Sequence, residues 1–221
     1  MPSVRAFLFD AYGTLFDVHS VLAECRRVTG DAEALSQLWR AKQLEYTWLR
    51  ALMGRYEDFW SVTDAALRFA IRRLNLRVDA AQNTRLLEAY LRLDTYPEVP
   101  EMIQALRGYP LAILSNGSPR MLKAVVEHGG LTPHLAHVLS ADAVRTYKPS
   151  PAVYALGPKH LGLPKEQIAF VSSNSFDVIG AKAFGFTVCW VTRAGVPPDD
   201  LGLAPDATVS RLDEMPRALG L

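Results

Sequence analysis

The sequence predicts an α/β fold, a doubly wound, Rossmann-like parallel sheet with a helical cap inserted into it. Three observations lead there. An apolar run from Val4 to Phe9 ends abruptly at Asp10, as a strand covered by helices on both faces would. From Phe16 to Asp94 the pattern is helical throughout. After the break Tyr96-Pro97-Glu98-Val99-Pro100, short apolar runs alternate with helical segments, the pattern of parallel strands joined by right-handed crossovers. The expected organisation is a core domain of residues 1–15 and 95–221 and a helical cap domain of residues 16–94.

Taken in order, Val4 to Phe9 form the first strand and Asp10 stands at its carboxyl end, where open α/β sheets bind ligands. Gly13 supplies a turn, and Thr14 can hydrogen-bond back toward the acid. Ser20 is placed to cap a short helix that Gly30 ends. A long helix follows, about Glu33 to Met53, stopped by Gly54. Its apolar residues fall on two stripes, Leu35, Trp39, Tyr46, Leu49 and Met53 on one, Leu44, Trp48 and Leu52 on the other. Such a helix is either buried on every side by its own bundle or shared between that bundle and a second subunit. Helices near Asp58 to Leu74 and Asp79 to Leu93 complete the insertion. Beyond the break, strands are expected at Leu111–Ser115, His137–Ser140, Ile168–Ser172 and Thr187–Thr192. Helices are expected at Pro119–His128, Pro151–Leu161 and Asp177–Phe184, with a kink or early end at Gly157-Pro158, and a last short helix at Asp213 to Leu219. An insertion that leaves from the carboxyl end of a strand lies over the crevice there and is placed to exclude water from it.

Composition narrows the function classes. Of 221 residues, 49% are hydrophobic and 21% charged, enough for one good core with a smaller lid. A net charge of +1 offers no electrostatic footprint for nucleic acid. The apolar runs are too short to span a membrane, and the first residues enter a strand without a secretory signal pattern. Cys25 and Cys189 lie in separate apolar segments, which favours reduced core thiols in a cytoplasmic protein over a disulfide. His134 and His137 have no carboxylate or cysteine at ligand spacing and read as surface or core residues. Neither G-x-G-x-x-G nor G-x-S-x-G occurs.

Chemistry collects at the strand ends. A carboxylate such as Asp10, held among backbone N–H groups, is suited to act as a nucleophile, although a strand-end acid also commonly caps the next element. The second expected strand runs into Ser115-Asn116-Gly117-Ser118-Pro119 and the fourth into Ser172-Ser173-Asn174-Ser175-Phe176-Asp177, while a loop before a core helix carries Tyr147-Lys148-Pro149. Each has an ordinary explanation alone: Ser-Asn-Gly is a turn, Asp177 a helix cap, Lys148 a solvated loop cation, Arg40 a surface cation on a helix. Their coincidence at successive strand ends on one sheet face argues for a site. Arg40 and Leu44 share a helix face at i, i+4 spacing, which suits a charged tip beside an apolar wall.

These clusters resemble, in order, the four motifs of the haloacid dehalogenase superfamily: Phe9-Asp10-Ala11-Tyr12-Gly13-Thr14-Leu15-Phe16-Asp17, then Ser115-Asn116, Lys148-Pro149, and Ser172 through Asp177. The cap segment Leu38-Trp39-Arg40-Ala41-Lys42-Gln43-Leu44-Glu45-Tyr46 narrows the resemblance to 2-haloacid dehalogenases acting on L-substrates, over nearly the whole chain. Most members of the superfamily are Mg²⁺-dependent phosphotransferases with acids two residues after the nucleophile and in a Gly-Asp pair of the last motif. Here Tyr12 and Ser173 stand at those positions, a poor donor set for a hard cation, and Tyr12 is no acid for a leaving alkoxide. A halide leaves without a proton. The resemblance therefore implies carbon–halogen hydrolysis with no metal and no other cofactor.

It further implies a role for each site residue. Asp10 is the nucleophile, supported by Thr14, and Lys148 is the cation beside it. Arg40, Asn116 and Phe176 surround the departing halide. Ser115 and the N–H groups near Ala11 and Tyr12 meet the substrate carboxylate, and Leu44 belongs to the apolar wall. Asp177 either activates the hydrolytic water, with Asn174, Ser172 and Lys148 orienting the group, or only holds Lys148 by an ion pair. Tyr154 would bond Ser172 or the carboxylate site. Phe176 stands where some relatives carry Trp, which bears on pocket width and preferred chain length. The implied partners are a small 2-halo carboxylate, converted with inversion to a 2-hydroxy acid through an aspartyl ester, and the halide product. A homodimer through the Trp39/Trp48 helix is expected as well. Two alternatives stay open, a phosphatase-like hydrolase of the same superfamily and a non-catalytic capped binding or dimerisation module; the intact Asp10, Arg40, Lys148 and Asp177 weigh against the latter.

Overall fold

A computed structural model describes residues 4–197 and 199–221. Among these, β1 (Ala6–Phe9), β2 (Leu111–Ser115), β3 (His137–Ser140), β4 (Ile168–Ser172), β5 (Thr187–Val191) and β6 (Ala207–Val209) form one sheet in the order β3-β2-β1-β4-β5-β6. Every neighbouring pair is parallel. The four inner strands are buried along their whole length, which is why they read as unbroken apolar runs, and the edge strands β3 and β6 are only partly buried. The strand order turns back at β1, so ligands belong in the crevice beyond its carboxyl end, between β2 and β4.

The insertion between β1 and β2 holds α1 (Leu22–Cys25), α2 (Ala32–Leu52), α3 (Phe59–Arg73) and α4 (Ala80–Ala89). Aspartates start the last three: Asp31 accepts from the Ala34 N–H, Asp58 from Ser61, and Asp79 from Gln82, whose side chain returns the bond to the Asp79 N–H. The chain crosses into and out of the insertion side by side, with the Asp17 N–H on the Asp94 carbonyl at 2.8 Å and the Tyr96 N–H on the Leu15 carbonyl at 3.0 Å. Trp39 is fully buried between α2 and α3, its Nε1 donating to the Thr63 carbonyl at 2.9 Å.

Several expected boundaries move. Asp17, not Ser20, caps the first turn of the insertion, and α1 ends at Cys25, well before Gly30. The α4 helix stops at Ala89 rather than Leu93. The proline-rich break contains α5 (Val99–Ala105), because Pro100 lies in its first turn, where a missing N–H costs nothing. The helix α6 (Pro119–His128) matches its expected span. The next splits into α7 (Pro151–Tyr154) and α8 (Leu156–Leu161), broken at Ala155 rather than at Gly157-Pro158, which sit inside the first turn of α8. Then α9 (Ser175–Phe184) begins two residues before Asp177, and α10 (Met215–Ala218) closes the fold. Cys25 and Cys189 are buried free thiols, and burial pushes them up to about 11 and about 12, out of the reactive range. Among the described residues, no helix is long and apolar enough to cross a membrane.

Candidate active site

The N–H of Asp10 extends the β1–β4 ladder onto the Val171 carbonyl at 2.9 Å and so fixes the residue at the carboxyl edge of the sheet. The residue is 6% exposed. Thr14 Oγ1 donates to Oδ2 at 3.1 Å, Asn174 Nδ2 donates to the same oxygen at 2.8 Å, and Lys148 Nζ donates to Oδ1 at 3.1 Å. Gly13, at φ +90°, makes the turn that brings Thr14 back beneath the acid. The Thr14 hydroxyl accepts the Ser173 N–H at 2.9 Å, so its own proton goes to Asp10. Asn174 stands at the N-cap of α9 but makes no capping bond with its side chain, since its amide is turned to Asp10 and the Tyr12 carbonyl instead.

Lys148 is 1% exposed and bridges two carboxylates, with Asp177 Oδ2 at 2.8 Å on its other side. Burial opposes its charge, but Asp10 and Asp177 outweigh that and hold its pKa above the ordinary lysine value. Burial pushes the Asp177 carboxyl up to about 6, with Lys148 pulling it down and Asp10 pushing it further up. The Tyr154 hydroxyl donates to Asp177 Oδ1 at 2.7 Å, and burial followed by that carboxylate keeps the phenol far above its usual range. Both Asp177 oxygens are thus occupied, and the residue lies behind Lys148, off the cavity wall. That arrangement ties Asp177 to Lys148 and Tyr154. Tyr154 bonds Asp177 rather than Ser172 or a carboxylate site, and Ser172 Oγ accepts the Asn174 N–H at 3.1 Å, also behind the wall.

In front of Asp10 lies a cavity of about 20 Å³, roughly the room of one water, lined by Tyr12, Arg40, Leu44, Phe59, Ser115, Asn116, Lys148, Asn174 and Phe176. Arg40 and Leu44 reach it from successive turns of α2. Arg40 Nη2 lies 3.4 Å from the Tyr12 carbonyl and 3.4 Å from Asn174 Oδ1. Asn116 Oδ1 accepts the Lys148 backbone N–H at 2.9 Å, which leaves its NH₂ as the group free for the cavity. Ser115 Oγ accepts the Gly117 N–H at 3.1 Å and keeps its proton for a ligand. The backbone N–H groups of Ala11 and Tyr12 find no acceptor among the described residues, while the Ala11 side chain is off the wall. Phe176 packs edge-on against Trp48 at 5.2 Å between ring centres.

The donor set does not fit a divalent cation. The two carboxylates converge on an ammonium, the Ser173 hydroxyl accepts from Arg193 Nη1 at 2.9 Å, and burial drives the Tyr12 phenol above its ordinary range, so it offers no anionic oxygen. Among the described residues, no three His, Cys, Asp or Glu side chains converge elsewhere.

Two residues of the site, Phe59 and Arg193, carry no clear mark in the sequence. Phe59 opens α3 and reads only as a core aromatic. Arg193 follows β5 and donates to the Gly13 carbonyl at 3.1 Å and the Thr14 carbonyl at 2.9 Å, pairs with buried Glu98 at 2.8 Å, and stacks 3.5 Å over the Tyr96 ring. It ties the turn after Asp10 to the segment by which the chain returns from the insertion. A charge at the end of a core strand was the available signal, the same one that marks Asp10.

A model of the haloacid dehalogenase-like hydrolase family matches residues 4–185. The chain is 49% identical over 215 residues to the (S)-2-haloacid dehalogenase of Pseudomonas sp. (strain YL), covering 96% of this chain and 93% of that one. It is 47% identical over 216 residues to the haloacetate dehalogenase H-2 of Moraxella sp. (strain B), covering 96% of each. Among solved structures, it is similar to the L-2-haloacid dehalogenase of Xanthobacter autotrophicus with chloropropionic acid covalently bound, with a TM-score of 0.91, 43% identity and 97% of each chain covered.

Proposed function

The chain belongs to the haloacid dehalogenase-like hydrolases, and from that premise we propose that it hydrolyses (S)-2-haloalkanoic acids to 2-hydroxy acids of inverted configuration through an ester on Asp10. One observation carries the assignment of the chemistry: a buried carboxylate faces a small cavity with an ammonium on one side and a guanidinium from the insertion on another. That charge pattern suits an anionic nucleophile, an anionic substrate and an anionic leaving group gathered in one place.

An Asp10 oxygen attacks the carbon bearing the halogen from the side opposite the halogen. A C–O bond forms, the C–X bond breaks, and the halide leaves with the bonding pair. Lys148 offsets the repulsion between Asp10 and the substrate carboxylate, which the Ser115 hydroxyl and the free N–H groups of Ala11 and Tyr12 are placed to receive. Arg40, Asn116 and Phe176 take the halide, so Arg40 acts on charge that exists only once the bond begins to break. Water then attacks the Asp10 carboxyl carbon, and the acyl C–O bond breaks; one proton of the water passes to the departing 2-hydroxy acid oxygen, the other is released to solvent, and the Asp10 carboxylate is regenerated. The oxygen not esterified keeps its donors, Lys148 or Thr14 and Asn174, and they stabilise the negative charge it acquires. This second step leaves the stereocentre untouched, so one inversion survives. Asp177 and Tyr154 serve by holding Lys148 in place.

Residues 16–94 act in this reading as a cap, supplying Arg40, Leu44 and Phe59 to a site whose remaining groups come from residues 1–15 and 95–221. The same reading includes a homodimer, formed where α2 leaves Leu49, Leu52 and Met53 exposed.

The test offers (S)- and (R)-2-chloropropionate with no added metal and measures chloride. Release from the S form alone, insensitive to chelator and absent in Asp10→Asn, is expected. Equal release from the R form, or release that survives Asp10→Asn, overturns the assignment.

A further inference from the structure

Gln43 is fully buried in the middle of α2. A buried amide needs partners for both its ends, and Gln43 has them. Its Oε1 accepts from Arg40 Nη1 at 2.6 Å, and its Nε2 donates to Thr63 Oγ1 at 2.8 Å. Thr63, also fully buried, donates to the Phe59 carbonyl at 2.6 Å. That last bond decides the direction of the chain. With its proton given to Phe59, the Thr63 oxygen can only accept, so Gln43 must turn its NH₂ toward Thr63 and its oxygen toward Arg40. A flipped amide would set N–H against N–H at the Arg40 end and oxygen against oxygen at the Thr63 end.

The remaining contacts of the guanidinium are weak, both at 3.4 Å. One short bond from Nη1 on the cap side and two long ones from Nη2 on the core side hold Arg40 in place, and the long pair can yield to an anion. Neither Gln43 nor Thr63 lines the cavity.

We propose that Gln43 and Thr63 are positioning residues that fix the Arg40 guanidinium where the departing halide gathers charge. The inference rests on the haloacid reading of the site. It makes a demand that a merely structural role does not. The loss on breaking the relay must grow with the stabilisation the leaving group needs, most for chloride, less for bromide, least for iodide. The later hydrolysis of the ester, with the halide already gone, must be unaffected.

The experiment uses Gln43→Met, Thr63→Val and Thr63→Ser in the full chain. Halide release is followed in a single turnover with (S)-2-chloro-, 2-bromo- and 2-iodopropionate, and 2-hydroxy acid formation is timed separately. Gln43→Met should slow release about 30-fold with chlorine and about 3-fold with iodine, a fraction of what losing a direct transition-state donor costs. Thr63→Val should show the same ordering more weakly, and Thr63→Ser should behave as the parent does. If Gln43→Met does not fold, the isosteric Thr63→Val carries the same test. Slowing that is equal across the three halogens, or no slowing, overturns the inference while leaving the parent's activity intact. A parent enzyme that releases no halide from any of the three overturns the reading beneath it.

Discussion

Lys148 joins two carboxylates through one ammonium, and that cluster sets the pH response of the site. With three buried groups in contact, removing one leaves an uncompensated charge, a change that costs about 3–5 kcal/mol in comparable buried pairs. Protonation of Asp177 does the same more gently. Its carboxyl sits near 6, so as pH falls through that value it gains a proton and loosens its hold on Lys148. As pH rises through the same value the ion pair is restored, and it lasts until Lys148 deprotonates, above its ordinary 10.5. For stability the sign is opposite. A carboxyl raised from 3.8 to about 6 binds its proton more tightly in the folded state, so this group alone lowers stability as pH climbs across that interval. The kcat/KM profile should therefore show an acid limb near 6 in the parent and lose it in Asp177→Asn, at reduced activity. A limb at the same pH in the variant would assign it to another group.

Packing between elements explains both what the sequence revealed and what it hid. In α8, Gly157 lies against β1 so closely that a Cβ there would fall 2.5 Å from Leu8 Cδ2. Leu8 is fully buried and stands two residues before Asp10, so it has little room to yield. Gly157→Ala should destabilise the fold by about 1–3 kcal/mol, the usual range for overpacking a filled core. Chemical denaturation measures this, and an unchanged midpoint and slope would mean that α8 slides away freely. Read as sequence, Gly157-Pro158 signalled a helix end, because the signal cannot tell the first turn of a new helix from the last turn of an old one. Pro100 in α5 hid a helix for the same reason. The inner strands were legible because burial on both faces forces an unbroken apolar run, whereas β6 spans only Ala207–Val209 at an edge and carries too little pattern to read. At the site, strand ends exposed Asp10, Ser115 and Asn174, and Arg193 obeyed the same rule after β5. Gln43, Phe59 and Thr63 had no such marker. Each is a plain helix-core residue by pattern, and only the packing of α2 on α3 sets them around Arg40.

The insertion is fastened to the sheet layer around the cavity and, among the described residues, leaves an apolar face of α2 exposed. The Tyr56 hydroxyl donates to Asp142 Oδ1 at 2.7 Å, the Tyr147 hydroxyl donates to the Glu57 carbonyl, and the Arg120 guanidinium lies 4.7 Å over the Trp60 ring. Trp39 and Trp48, which marked α2 as a helix for a second subunit, are both engaged within the chain, by α3 and by Phe176. The face left over is Leu49, Leu52 and Met53, exposed by 44%, 85% and 60%. Leu49 and Met53 end one of the two expected stripes and Leu52 the other; at i, i+3 and i+4 the three adjoin, and all are exposed among the described residues. One exposed leucine is ordinary, but three adjoining at helical spacing match the face on which the proposed homodimer would form. Full burial of such side chains contributes about 1.5–3 kcal/mol each, and a two-fold interface counts every one of them twice. The same symmetry makes the contact easy to break, since Leu52→Lys would bring two ammonium groups into one apolar patch. Light scattering should give twice the mass of one chain for the parent and a single chain for Leu52→Lys, with chloride release per chain retained because Leu52 lies outside the cavity. A parent that travels as a single chain would mean that the stripe has no second copy to meet.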